Sequence, residues 1–396
     1  MKRSLGALDP ARLDGQRALV RVDFNVPVAD GTVTDDTRLR AALPTIKYLR
    51  GRGARVILCS HLGRPKGGPE PRYSLAQLVQ PFEALLGVPV SFIADPVGDS
   101  AAPFTRRMPR GGVALCENTR FWPGEEQNDP ELAARFAALG DLFVNDAFGA
   151  AHRAHATTTG VARLLKPAVA GFLMEKELKY LGATLTDPKR PFLAVLGGAK
   201  VSGKLDLIEA LLPRVDQILL GGAMACTFFR AMGLEMGKSL VEEDRIAMAS
   251  DLLARAGDKL VLPKGCVIAP ELREGITTMS VPRNKVPASF AVFDIDPATM
   301  REYAGRILQA GTVIWNGPMG VFETPPFDAG TRALAGAMAD AAAAGVITIV
   351  GGGDSAAAVT QAGLADRMTH VSTGGGASLE FLEGKTLPGV AALDDA

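Results

Sequence analysis

Histidine and cysteine, the residues that build most metal centres and many nucleophilic sites, are scarce here, with four of each in 396 residues. Cys59, Cys116, Cys226 and Cys266 are scattered without CxxC spacing, so neither a zinc site nor a disulfide framework is indicated, and buried free thiols are the expectation. Four histidines are too few for a multi-histidine metal centre. Net charge is also missing: 43 Lys and Arg balance 43 Asp and Glu, which removes the bulk electrostatic argument for a nucleic-acid or membrane partner. The opening stretch MKRSLGALDPARLDG carries basic residues with no apolar run behind them, and no later run approaches membrane-spanning length. A cytoplasmic protein is expected.

What is abundant is apolar and small. A hydrophobic content of 47% over this length is too much for one ordinary core and enough for two, so two domains are expected. The charge is unevenly placed. Residues 1–170 hold 22 Lys and Arg against 17 Asp and Glu, whereas the remainder holds 21 against 26. Eighteen of the 22 cations are arginines, whose rigid fork suits bidentate capture of phosphate or carboxylate; solvated helix faces account for many of them.

Short β-branched runs alternate with longer amphipathic segments, the signature of an α/β chain with parallel sheets. Strands are expected at 18–26, 55–59, 90–93, 113–116 and 142–144, then at 192–196, 217–220, 267–269, 291–295, 313–315 and 346–350. Between the first strands, a helix over 36–49 puts Leu39, Ala42, Leu43 and Ile46 on one face; Ser74 with Gln77 reads as a capping box; Asp129 before Pro130 reads as a cap and first-turn proline. The segment GFLMEKELKYLGATL (171–185) is helical throughout and would join two lobes as a stiff hinge rather than a tether.

The polar residues cluster after the apolar runs, where open parallel sheets place their ligands. VRVDFNVP alternates Arg21, Asp23 and Asn25 against Val20, Val22, Phe24 and Val26, which suits either an edge strand or a polar site at a strand end. SHLGRP, ENTRFWPGEE and NDAFGAAHRAH follow later strands, and each contributes an arginine: Arg64, Arg120 and Arg153. With Arg21 and Arg38, five guanidiniums could converge on one crevice. IVGGGDSAAAV and VSTGGGASLEF each pass from an apolar run through glycines into a helix pattern, the arrangement that brings backbone N–H groups and a helix dipole to an anion; either alone could also be a tight connection. LGGAKVSGKLD matches the spacing G-x-x-x-x-G-K of a P-loop, but Leu205 stands where a magnesium-binding hydroxyl is needed. A Walker-type ATPase is rejected on that ground, and Lys200 and Lys204 are kept as phosphate contacts.

In order along the chain, VRVDFNVP, TDDTRLRAALPTIKYL, SHLGRPKG, ENTRF, NDAFGAAHRAH, GFLMEKELKYLG, LGGAKVSGK, WNGPMGVFE, GGGDS and HVSTGGGASLE resemble the phosphoglycerate kinase family over essentially the whole length. The resemblance implies an α/β fold of two Rossmann-like three-layer domains with mainly parallel sheets joined by a hinge helix. It places a 3-phosphoglycerate domain at 1–170, the hinge at 171–185, a nucleotide domain at 186–377, and a tail at 378–396 that returns to the first domain. The implied substrate contacts are Arg21, Asp23, Asn25, Arg38, His61, Arg64, Arg120 and Arg153; His61 taken alone would read as a structural histidine. The implied nucleotide contacts are Lys200, Lys204, Gly221, Gly222, Asn316, Pro318, Val321, Glu323, Gly351, Gly352, Gly353, Asp354 and Ser355, with Asp354 as the ligand of a Mg2+ carried by ATP or ADP. Ser355 stands where the family more often has Thr.

The implied reaction is phosphoryl transfer between ADP and 1,3-bisphosphoglycerate, with a carboxyl group as acceptor in the reverse direction, by a monomer with neither nucleic-acid nor membrane partner. Its nucleophiles are already ionised, so alignment and charge neutralisation suffice, the expected contributors being Arg38, Lys200 and the amides of Gly352, Gly353, Gly374 and Gly375. Another phosphotransferase of small acids would share the arginines and glycine turns, whereas a scaffold that had abandoned catalysis would be expected to have lost Lys200 or Asp354, and both are present.

Overall fold

The computed structural model describes residues 2–66 and 68–396, which leaves Gly67, the last residue of SHLGRPKG, outside the described residues. The chain divides into two compact units, Met1–Lys179 with Thr386–Ala396, and Tyr180–Lys385. The boundary falls inside one helix, Phe172–Thr186. The stretch 378–396 is split: 378–385 stays with the second unit, and 386–396 packs on the first, where Asn145 Nδ2 donates to Gly389 O at 3.0 Å and Gly389 N to Ala151 O at 2.9 Å.

The first unit is built on six parallel strands in the spatial order Val90–Ile93, Val113–Cys116, Arg55–Cys59, Arg17–Arg21, Leu142–Asn145, Ala168–Ala170. Helices cover both faces, which is why the runs are continuously apolar and all five residues of Arg17–Arg21 are buried. The strand expected over 18–26 stops at Arg21. Val22, Phe24 and Val26 continue into the core as an irregular segment, with the Phe24 ring 4.9 Å from that of Phe82. The edge-strand reading of VRVDFNVP is therefore replaced by a central strand that ends in a polar turn.

Helix Thr37–Gly51 buries Leu39, Ala42, Ile46 and Leu49. Asp129 caps Pro130–Ala137 by accepting from Leu132 N at 2.8 Å, as its Asp-Pro signal indicates. The capping box at Ser74 does not form. Ser74 Oγ accepts from Ala76 N, but Gln77 Nε2 donates to the Ser74 carbonyl instead of accepting from its N–H, and a 3-10 turn precedes the helix Val79–Leu86.

The second unit repeats the plan with six parallel strands ordered Leu260–Val261, Gln217–Leu220, Phe192–Leu196, Thr312–Asn316, Ile347–Gly351, His370–Val371. Numbered along the chain this is 3-2-1-4-5-6, the doubly wound order. The expected strands at 267–269 and 291–295 belong elsewhere: Gly265–Ala269 pairs antiparallel with both Met279–Pro282 and Ala291–Ile295 in a separate three-stranded sheet. The short strands Ala168–Ala170, Leu260–Val261 and His370–Val371 lack the length for a periodicity signal. All four cysteines are buried and free.

One buried acid ties the small sheet to a helix. Asp294 accepts from Ile295 N at 2.8 Å and from Gly330 N at 2.7 Å, holding the start of helix Ala329–Ala343. Burial raises its pKa from 3.8 to about 7, with Asp328 adding to the rise and the two amides opposing it. Because the folded value exceeds the unfolded one, the stability this group contributes is complete below pH 3.8 and is lost as the pH rises through about 7. Unfolding midpoints followed from pH 4 to 8 should decline in that window, and Asp294→Asn should flatten the decline; an unchanged slope would discount the group.

Candidate active site

In both sheets the strand order reverses beside the central strand, the place where loops leaving the carboxyl ends of the flanking strands form the ligand crevice of open α/β folds. In the first unit these strands are Arg17–Arg21, Arg55–Cys59 and Leu142–Asn145. Asp23 and Asn25 lie in the turn after the first. Arg38, in the first turn of its helix, donates through Nη1 to Asp23 Oδ2 and to Asn25 O, each at 3.1 Å, which leaves Nε and Nη2 for a ligand. Asn25 Oδ1 accepts from Gly63 N at 2.8 Å, and Arg120 Nη1 donates to Gly63 O at 2.7 Å. Asp23, Asn25, Arg38 and Arg120 thus form one bonded group around the turn that follows His61.

His61 is 8% exposed, and burial followed by the charges of Arg21, Arg120, Arg38 and His155 drives its pKa well below 6.5. His155 is likewise pushed down to about 3, by burial first and then by Arg21, Arg120, Arg153 and His152. Two neutral imidazoles under four guanidiniums make a strongly positive pocket with no candidate base. Arg153 is exposed and donates from Nε to His152 Nε2 at 3.1 Å. Arg64 is exposed and makes no hydrogen bond or ion pair among the described residues. Arg21 differs from the rest: it is fully buried, and its donors go to Thr157 Oγ1, Val22 O and His61 Nδ1. It stands behind the pocket rather than facing a ligand.

Glu125 and Thr157 are not singled out by the sequence reading. Both are fully buried; Thr157 donates to Glu125 from its N at 3.0 Å and its Oγ1 at 2.5 Å, and Glu125 Oε1 is 4.0 Å from Arg21 Nη2. The available signal was a second acidic residue in ENTRFWPGEE opposite an arginine on an apolar strand.

In the second unit three backbone segments close on one another. Gly198 N donates to Pro318 O and Gly222 N to Met319 O, each at 2.9 Å. Gly222, at φ +69°, would place a Cβ 2.5 Å from the Gly198 backbone, so no other residue fits. Pro318 is buried in this wall, Val321 N donates to Phe293 O, and Glu323 is exposed beyond it. Gly221 is buried, against Met319.

Opposite lies the glycine turn. Gly352, at φ +91°, precedes helix Gly353–Gln361, so the amides of Gly353, Asp354 and Ser355 have no carbonyl of their own helix to meet. Asn316 donates from Nδ2 to Gly351 O at 2.8 Å and accepts from Lys204 Nζ, which fixes the lysine beside the turn. Burial lowers the Lys204 pKa, with Asp354 and Glu383 opposing. Lys200, Gly353 and Asp354 are exposed. Ser355 is not: it is fully buried and its Oγ accepts from Gly317 N at 2.6 Å, so its hydroxyl holds the neighbouring loop. Gly374 N donates to Ser372 Oγ at 3.1 Å, and Gly375, at φ +51°, precedes the short helix Gly376–Leu382.

The P-loop-like turn is occupied by protein. Val201 N and Ser202 N donate to Glu242 Oε2 at 2.5 and 3.1 Å, so amides that would face a phosphate are held by a carboxylate. That geometry agrees with rejecting a Walker loop. Among the described residues no group of three or more His, Cys, Asp or Glu side chains could hold a metal, and no helix is long and apolar enough to cross a membrane.

Two doubly wound units, one with an arginine pocket and the other with glycine turns beside lysines, define a phosphotransferase of the kinase type. A profile of the family described as phosphoglycerate kinase matches residues 8–385. The chain is 54% identical to the cytosolic phosphoglycerate kinase 3 of Arabidopsis thaliana, over 100% of this chain and 99% of that protein, and 58% identical to the phosphoglycerate kinase of Chloroflexus aurantiacus, over 96% and 97%. The solved phosphoglycerate kinases of Coxiella burnetii and Pyrococcus horikoshii superpose with TM-scores of 0.88 and 0.87 at 42% and 31% identity, each covering 99% of this chain and 98% of the other. The chain belongs to the phosphoglycerate kinase family.

Ser355→Ala should leave the buried Gly317 N–H without an acceptor, at a cost of about 1–3 kcal/mol. Urea unfolding of that variant, with Ser355→Thr as the hydroxyl-retaining control, checks it. Equal stability of all three proteins would show that Gly317 does not depend on this bond.

Proposed function

We propose that the first unit binds 3-phosphoglycerate or 1,3-bisphosphoglycerate in the Arg38, His61 and Arg120 pocket, and that the second binds ATP or ADP between the Gly198, Gly222 and Pro318 wall and the Gly351–Ser355 turn. The observation that carries this reading is that Arg38 is held by Asp23 and Asn25 with two of its nitrogens unspent. A guanidinium so fixed is already oriented for a phosphoryl oxygen and need not reorganise during transfer. Lys200, Lys204 and the amides of Gly352, Gly353 and Gly375 neutralise charge from the nucleotide side, whereas the expected Gly374 amide is already donated to Ser372 Oγ. Neither His61 nor His155 is poised as a base, and none is needed, since a carboxylate attacks in one direction and a phosphate oxygen in the other.

Magnesium fits the donors present. It takes one or two carboxylates together with phosphates and water rather than an all-protein cage, and Asp354 offers one exposed carboxylate in the first turn of a helix. Asp354 would hold the ion, whose charge would offset that of the phosphates. A cytoplasmic monomer suits a chain that carries both substrate sites itself.

In a coupled assay with ATP, magnesium and 3-phosphoglycerate, Arg38→Ala should lower kcat by about 10²–10³ with a modest change in KM, because the lost contact acts mainly on charge in transfer. Near-normal turnover would remove Arg38 from this role. We further propose that transfer requires the two substrate-loaded units to close, which excludes the water that would hydrolyse an acyl phosphate. Small-angle scattering should show a smaller radius of gyration with both substrates than with either; identical curves would sink closure.

A further inference from the structure

A one-way chain of hydrogen bonds runs through the interior of the first unit and ends on His61. Glu125 Oε1, an acceptor only, accepts a hydrogen bond from the Thr157 hydroxyl at 2.5 Å. With its one O–H so directed, Thr157 Oγ1 accepts from Arg21 Nε at 2.9 Å. Arg21, which has donors and no acceptor, then meets His61 Nδ1 through Nη2 at 3.3 Å. Arg21, Glu125 and Thr157 are each fully buried, so water does not compete for these groups.

We propose that Arg21 is a positioning residue that holds His61 in the tautomer protonated on Nε2, so that the ring presents a neutral N–H donor to an oxygen of the phosphoglycerate. A guanidinium cannot accept, so a protonated Nδ1 would set donor against donor inside the core. The same contact opposes the doubly protonated ring. The other charges facing His61 act in the same direction, Arg38 from helix Thr37–Gly51 and Arg120 from the turn Thr119–Phe121, and His155, itself neutral, brings no opposing charge. The carboxylates near this group are already engaged, Asp23 with Arg38 and Glu125 behind Arg21. The arginines therefore supply the positive charge of the pocket while His61 supplies a directed donor whose state does not change over the physiological range.

The role in binding phosphoglycerate rests on the function proposed above, but the tautomer does not, and the test separates them. Histidine-15N-labelled protein is examined by long-range 1H–15N correlation, with His61→Gln to assign the ring. The expected spectrum at pH 7, retained at pH 5, has His61 Nδ1 unprotonated and Nε2 protonated. A protonated Nδ1, or a charged ring at pH 7, overturns the proposal whatever any variant does. The double variant Arg21→Met, Glu125→Gln removes both buried charges together, and its thermal melt reports folding. Folded, it should show a mixture of His61 tautomers at pH 7 in place of the single Nε2-protonated form, with KM for 3-phosphoglycerate raised about tenfold while KM for ATP stays within about twofold. An unchanged single tautomer in that folded variant would overturn the proposal. The predicted wild-type spectrum with a His61 signal indifferent to 3-phosphoglycerate would uphold the tautomer lock and count against the substrate reading instead.

Discussion

The pairing of Arg21 with Glu125 through Thr157 is the constraint on which the first unit's pocket depends. A guanidinium at the end of a central parallel strand lies where both faces of the sheet are covered, and a charge there is tolerable only if its donors are met. Meeting them recruits distant chain: Glu125 follows the fourth strand of the sheet and Thr157 follows the fifth. The loops after three strands are thereby fastened to one side chain. Removing either charge alone would strand the other, which typically costs about 3–5 kcal/mol. With Arg21 fixed, His61 is placed, and the Asn25, Gly63 and Arg120 bonds then set the loop that follows it.

The second unit reaches a comparable end by another route. Its walls are backbone, not side chain, and their geometry comes from glycines at which a Cβ would collide with a neighbouring segment. Gly317 is held by Ser355 Oγ, Gly351 by Asn316 Nδ2, and Asn316 also anchors Lys204. Two polar side chains, Ser355 and Asn316, therefore hold the backbone of the cradle, and each contributes to the site mainly through what it holds. Amides of this kind carry partial charges that do not titrate, which suits a ligand whose own charge varies with metal and protonation.

The parts of this design that were legible in the sequence are those with a local cause. Strands such as Arg55–Cys59, Val113–Cys116 and Phe192–Leu196 coincide with their apolar runs because burial on both faces imposes continuous hydrophobicity. The Asp129 cap and the glycine turn at Gly352 are likewise local. What the residues alone did not disclose was long-range. Alternation in VRVDFNVP suggested a half-exposed strand, but the periodicity is broken by a turn after Arg21, and the side chain judged a ligand contact is buried for a partner 104 positions away in Glu125. Ser355 is the same case: its place in GGGDS suggests a phosphate contact, yet its hydroxyl is taken by Gly317, 38 residues earlier. A motif reports that a residue matters at a site; it does not distinguish touching the ligand from holding what does.

That distinction bears on the uneven charge of the two halves. Residues 1–170 carry an excess of five positive charges and the rest an equal negative excess. The excess is reduced where it counts least for a ligand: Arg17 is paired with Asp141, Arg40 with Asp36, Arg72 with Glu70 and Arg110 with Asp14. Arg38 and Arg120 also have carboxylate partners, but each retains donors toward the crevice, and both charges act on His61. A small phosphorylated acid has no aromatic surface to bury, so charge and directed donors must supply both its attraction and its orientation. A nucleotide offers a base and a sugar as well, and a unit of net negative charge can hold it through shape and backbone amides provided the phosphates arrive partly neutralised. On the proposed assignment of ligands, the arginine-rich half and the glycine-lined half are thus two answers to ligands that differ in how much of their surface is charge.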